Sequence, residues 1–124
     1  MKLFWNILRI LLALFILNAG VQHFIKPDFF SPFVPNFLVY KTFIVYASGI
    51  IEIALAIMLL IPKYKYIAAS GILILMLIFL PIHIWDVFSD VPAIGSHKAA
   101  LIRLPMQFVL IALAYKLRKE ANNG

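Results

Sequence analysis

The side chains in this sequence most capable of chemistry are Asn18, His23, Ser48, Glu52, His83, Arg103 and Gln107, and each sits within or at the edge of a long apolar run. An ionisable group at the centre of a bilayer costs about 2.5–3.5 kcal/mol on insertion scales, so its retention there marks a functional candidate. Glu52 is the strongest of them. Counted from Lys41 it lies about 16 Å along its helix, at about 1.5 Å per residue, where a short side chain cannot reach water. Ser48 precedes it by one turn, Ala56 follows by one turn and Gly49 lies alongside, which gives one small and polar face for close packing. Arg103 and Gln107 are four residues apart and share a helix face, with Arg103 about 6 Å below the outer edge by the same rise. Its guanidinium can reach down towards a mid-membrane carboxylate. His23 and His83 stand near the outer ends of the first and third runs, and Asn18 and Gln22 share a face of the first. Together these groups offer a proton-exchanging acid and several hydrogen-bond donors in the outer half of a bundle, with Glu52 as the floor. A lipophilic molecule with polar atoms would suit that space. The competing reading is that Glu52 and Arg103 pair, the amides bond to backbone carbonyls and the histidines rest among headgroups. Polar contacts between membrane helices average only about 0.6 kcal/mol, so stability alone does not call for a mid-membrane carboxylate.

The elements that must position these groups follow from composition. The chain has 124 residues, of which 65% are hydrophobic and 13% charged, with a mean hydropathy of +1.02. Those values do not fit a soluble domain, so membrane lipid is its solvent and first partner. The net charge of +6 comes from residues at the ends of apolar runs and forms no continuous basic face, which argues against nucleic acid as a partner. Without cysteine the chain cannot use disulfides, thiolate metal sites or dithiol relays. No metal-ligand spacing is present among the remaining residues either.

A membrane crossing needs about 20 apolar residues for about 30 Å of hydrocarbon, and four runs qualify: 4–24, 40–61, 66–85 and 99–117. The sequence thus predicts an all-α integral membrane four-helix bundle, up-down-up-down, forming a single transmembrane domain over 1–124. Lys2 and Arg9 before an apolar stretch resemble a signal peptide, but the run starting at Met1 is read as a retained span. Arg9 is expected to snorkel to the headgroups. Pro105 is expected to interrupt the last span and free the Leu101 carbonyl as an acceptor.

Lys2, Lys63, Lys65, Lys116, Arg118 and Lys119 fall on one side, against Lys26, Lys41 and Lys98 on the other, where Asp28, Asp86 and Asp90 accompany them. The positive-inside rule then places both termini in the cytoplasm. The outer segment from Pro27 to Pro35 carries three prolines and three phenylalanines. It reads equally as an interfacial flap over the outer mouth or as a plain surface loop. Residues 86–98 read as a polar outer loop.

The order of several short motifs is familiar: His23-Phe24 before the proline-rich segment, Tyr46-Ala47-Ser48-Gly49-Ile50-Ile51-Glu52-Ile53, Leu60-Ile61-Pro62-Lys63, Leu80-Pro81-Ile82-His83-Ile84 and Arg103-Leu104-Pro105-Met106-Gln107. Over roughly residues 16–115 the chain resembles the DoxX-like family of small four-helix membrane proteins, departing from it at His83, where asparagine is more usual. The resemblance implies a multi-pass protein of a bacterial-type inner membrane, working beside a quinone-linked redox partner subunit. It brings in quinone as the candidate ligand, held by Arg103, Gln107 and a histidine at its carbonyls while Glu52 exchanges protons. It does not by itself make the chain an enzyme, and no catalytic constellation is readable. Other readings stay open. Small multidrug exporters are four-helix proteins with one intramembrane glutamate, though theirs lies in the first span. Paired histidines also suit a haem. A structural subunit without ligand, and a second copy of the chain as partner, are equally compatible with the pattern.

Overall fold

The computed structural model describes residues 2–34, 40–90 and 92–123, with side chains as far as residue 121. Pro35 of the proline-rich segment, residues 36–39 and Val91 lie outside the described residues. Four long helices account for most of the chain: α1 (Lys2–Ile25), α3 (Lys41–Leu60), α4 (Lys65–Phe88) and α5 (His97–Asn123). A one-turn helix, α2 (Pro27–Phe30), and 3-10 turns at Ser31–Phe33 and Pro62–Tyr64 connect them. All four long helices have the length and apolar character needed to cross a membrane, so the chain is an all-α four-helix bundle of the multi-pass membrane type. The expected spans are recovered, three of them extended by one to six residues at an end and the second, α3, shorter by one residue at each end.

The helices associate in two tight pairs, α1 with α3 and α4 with α5, which the α3–α4 hairpin joins. The α1–α5 seam is much looser than any of these three. Two glycines explain how closely α1 and α3 approach. A Cβ on Gly20 would stand 2.9 Å from the Gly49 carbonyl oxygen, and one on Gly49 would stand 3.0 Å from that of Gly20. Backbone therefore meets backbone at this crossing, as small residues permit between membrane helices.

The apolar core fills the half of the bundle nearest the termini. Leu12, Ile16, Leu59, Ile72 and Met76 are buried there with alanines at 13, 56, 68, 69 and 114. The outer faces carry exposed Ile50, Ile57, Ile67, Ile74, Phe108 and Val109. In water such a surface would be a liability; in hydrocarbon it is ordinary. The half remote from the termini is built differently, and it holds the polar residues.

Two local readings change, and Arg9 gains a partner besides. Arg9 reaches the end of the bundle nearest the termini, where its Nη1 donates to the Leu59 carbonyl at 2.6 Å, one of the carbonyls that the end of α3 leaves without an intrahelical partner. Pro105 does not interrupt α5, which runs continuously through it. Pro105 and Leu101 are both exposed on the outer face of the helix, so the carbonyl that proline frees is not turned to the bundle interior. Asp86 belongs to the last turn of α4 and not to a polar loop. It is 5% exposed, and its carboxylate accepts from the Ala93 and Ile94 amides at 2.5 and 3.3 Å. That contact folds the 92–96 turn back over the bundle, where Gly95 takes φ +118° and the Ser96 hydroxyl accepts from the Ala99 amide at 3.1 Å to start α5.

Candidate functional site

A cavity of about 550 Å³ occupies the half of the bundle remote from the termini. Each long helix contributes to it, α1, α3 and α4 through residues three or four apart, the spacing that puts side chains on one face. α1 supplies Phe15, Ala19 and His23; α3 supplies Ile44, Val45, Ser48 and Glu52; α4 supplies Ile78, Phe79, Ile82 and His83; α5 supplies Arg103. Ile94, placed by the Asp86 contact, completes one wall. The mostly apolar lining with a few convergent polar groups is the usual character of a small-molecule site, and so is the volume.

The segment following α1 closes over this cavity. Phe29, Phe30, Phe33 and Val34 all line it. Phe30 stacks on the His23 ring at 3.8 Å between centroids and 19° between planes, and Phe33 meets the His83 ring edge-on at 5.7 Å. Of the two readings of residues 27–34, the flap is the one seen. The prolines hold it to short turns, and the two histidines serve as its landing points.

Glu52 is 4% exposed, and the polar group against it is His23, whose Nδ1 stands 3.4 Å from Oε2. That ring nitrogen is also 2.6 Å from the Ala19 carbonyl oxygen. Because a carbonyl only accepts, Nδ1 must donate its proton there, which leaves Glu52 Oε2 close to His23 but without a hydrogen bond. Arg103 Nη1 and Ser48 Oγ are likewise buried without a hydrogen-bond partner. Glu52 and Arg103 share the cavity and their charges attract, yet among the described residues no direct ion pair joins them. Buried polar atoms are nearly always satisfied in folded proteins. Here, side chains with unpaired atoms on α3 and α5 line one space, so a molecule bridging Ser48, Glu52 and Arg103 would find both donors and acceptors.

Five of the candidates are brought together in this way: His23, Ser48, Glu52, His83 and Arg103. Two are not. Gln107 is fully buried, but it points at α4, donating from Nε2 to the Met76 carbonyl at 2.6 Å with Met76 Sδ at 3.7 Å. It locks α5 to α4 below the cavity, as an interhelical polar contact does. Asn18 is exposed on α1 and lines no part of the cavity. Gln107 shares a helical face with Arg103, but one further turn of helix carries its side chain beyond the cavity; Asn18 lies at the depth of the lining residues Phe15 and Ala19 and is turned outward by the rotation of α1. The aromatic lid and Asp86 were not picked out individually as site residues. An acid followed by Pro92 and Gly95 was the available signal for Asp86.

Residues 12–118 match the model of a protein family described as a domain of unknown function (DUF8561). No curated protein and no solved structure matches the chain.

Proposed function

We propose that this chain, which belongs to the DUF8561 family, is a membrane-embedded binding module that holds a lipophilic small molecule in its aromatic-lidded cavity. The observation that carries this reading is the conjunction of about 550 Å³ of largely apolar space with unpaired polar atoms on Ser48, Glu52 and Arg103. Quinone is the ligand class we favour, on the resemblance to DoxX-like proteins. A quinone ring needs an apolar slot with a donor at each carbonyl, and here Arg103 is the donor on one side and Ser48 or His83 on the other. The phenylalanines of the lid offer ring faces for stacking. Glu52 is placed to exchange the protons that accompany reduction of the ring by a partner redox subunit, which would supply the electrons.

Ligand binding to the folded state stabilises it by about 2.7 kcal/mol at a concentration of 100 times Kd. A short-chain ubiquinone or menaquinone analogue should therefore raise the melting temperature of the purified protein. Arg103→Gln should lose most of that rise. Gln107→Leu should lower the starting stability and keep the rise, since Gln107 lies outside the cavity, although its place beside Arg103 in the sequence suggested a ligand contact. Equal shifts in wild type and Arg103→Gln would sink the quinone reading. Absorbance of the same preparation in the Soret region would instead identify a haem between the histidines.

We place the protein in the cell inner (cytoplasmic) membrane on its resemblance to DoxX-like proteins, with both termini in the cytoplasm because Lys2, Lys63, Lys65, Lys116, Arg118 and Lys119 gather at one end. The cavity then lies in the outer leaflet half. The absence of native cysteine makes the test direct. Cysteines placed singly at Ser96 and Lys119, both exposed, should differ in intact cells: an impermeant maleimide labels Ser96→Cys and leaves Lys119→Cys unlabelled. The opposite pattern reverses the orientation.

A further inference from the structure

At the other end of the bundle, near the termini, a second cavity of about 280 Å³ opens where the first turns of α1 and α4 meet the last turns of α5. Lys2, Trp5, Asn6, Arg9 and Lys65 line it, with Glu120 as the single acid. Three cations against one carboxylate leave an excess of positive charge in a partly enclosed space. Arg9 makes the site more than a loose group of lysines. One of its terminal nitrogens is committed to the Leu59 carbonyl at 2.6 Å, which fixes the guanidinium in place, and its Nε is buried with no hydrogen-bond partner.

We propose that this crevice binds a phosphate-bearing anion, and that the anion is the headgroup of an anionic phospholipid. Phosphate is the chemistry that suits a fixed guanidinium flanked by lysines: its oxygens accept charge-assisted bonds from Arg9, Lys2 and Lys65 together. Three features favour a lipid as its bearer. The crevice lies where α1 and α5, which have few contacts with each other, meet the start of α4. The opposite face of α1 carries exposed Leu3, Ile7 and Leu11, apolar side chains that set this level of the helix against lipid. Trp5 stands at the level where interfacial aromatic side chains sit. The site is independent of the quinone reading, since none of its residues touches the other cavity.

The test uses the full-length protein in phosphatidylcholine nanodiscs carrying increasing fractions of phosphatidylglycerol. Arg9 is left intact, because its substitution would also remove the contact that ends α3. Phosphatidylglycerol should raise the melting temperature, and Lys2→Gln with Lys65→Gln should weaken its apparent affinity roughly tenfold or more, as the loss of two charges near an anionic headgroup implies. Lys116→Gln with Lys119→Gln removes the same charge from the same end, outside the crevice, and should leave the affinity within about twofold. Equal stabilisation by phosphatidylcholine alone overturns the proposal, as does an equal loss in the control pair. If inorganic phosphate reproduces the full shift, the site takes a free anion and the lipid assignment is wrong.

Discussion

Gly49→Leu is expected to prevent α1 and α3 from closing, and Gly49→Ala to lower stability by about 1–3 kcal/mol, the cost of overpacking a well-filled contact. Helix propensity works the other way, since alanine is favoured over glycine inside a helix by about 1 kcal/mol. The contact must therefore outweigh that gain, and its geometry says it does. A Cβ on Gly49 meets the Gly20 carbonyl oxygen at 3.0 Å and the His23 Cβ at 2.8 Å, and neither atom belongs to a flexible chain end that can turn aside. Gly71 provides the contrast. Its Cβ would meet the tip of Leu55 at 2.6 Å, a side-chain methyl that a rotamer change can move, so Gly71→Ala should be nearly neutral. The Gly49 substitution should also reach the cavity, because it pushes on the residue that stands against Glu52. A thermal-melt series on the three variants checks the order. If Gly49→Ala melts at or above wild type, the close crossing is not holding the two helices.

The bundle itself was legible because lipid imposes a simple rule: every span needs an unbroken apolar run, and four are present. Depth along those runs also identified Glu52, Ser48, Arg103 and the two histidines as neighbours, since antiparallel helices of similar length bring equal depths together. The same projection failed for Gln107 and Asn18. It treats a helix face as a stripe, whereas the cavity ends at a particular depth, and rotation of each helix about its axis is set by contacts such as Gly20 against Gly49 that a single sequence does not order in space. The partner of Arg9 is invisible to the sequence for a related reason: the Leu59 carbonyl is close in space and distant in sequence. The lid could be seen as proline-rich and aromatic, but its landing on His23 and His83 is a tertiary fact.

Removing Arg103 while keeping Glu52 should be destabilising, on the order of 1–3 kcal/mol for Arg103→Gln, because a buried carboxylate deprived of its countercharge loses its compensation and stays buried only by taking up a proton. The carboxylate has no hydrogen bond at Oε2, and His23 spends its Nδ1 proton on Ala19, so the field of Arg103 is its principal support. Glu52→Gln should be costly for the mirror reason, leaving the half-buried guanidinium without an opposite charge. If the two act on each other across the cavity, the double variant Glu52→Gln/Arg103→Gln should be less destabilised than the sum of the single ones by about 1–3 kcal/mol. The groups are not in direct contact, so the size of this coupling measures how poorly the space between them screens charge. Glu52→Gln combined with Asn18→Ala supplies the additive reference, because Asn18 is exposed and lines no part of the cavity. Unfolding midpoints of the four Glu52 and Arg103 forms, measured in one detergent, give the cycle. Additivity as strict as that of the Asn18 reference would mean that water or lipid screens the pair, and that Glu52 is held by His23 and its own helix alone. A coupling that shrinks when a quinone analogue is bound would place the ligand between the two charges.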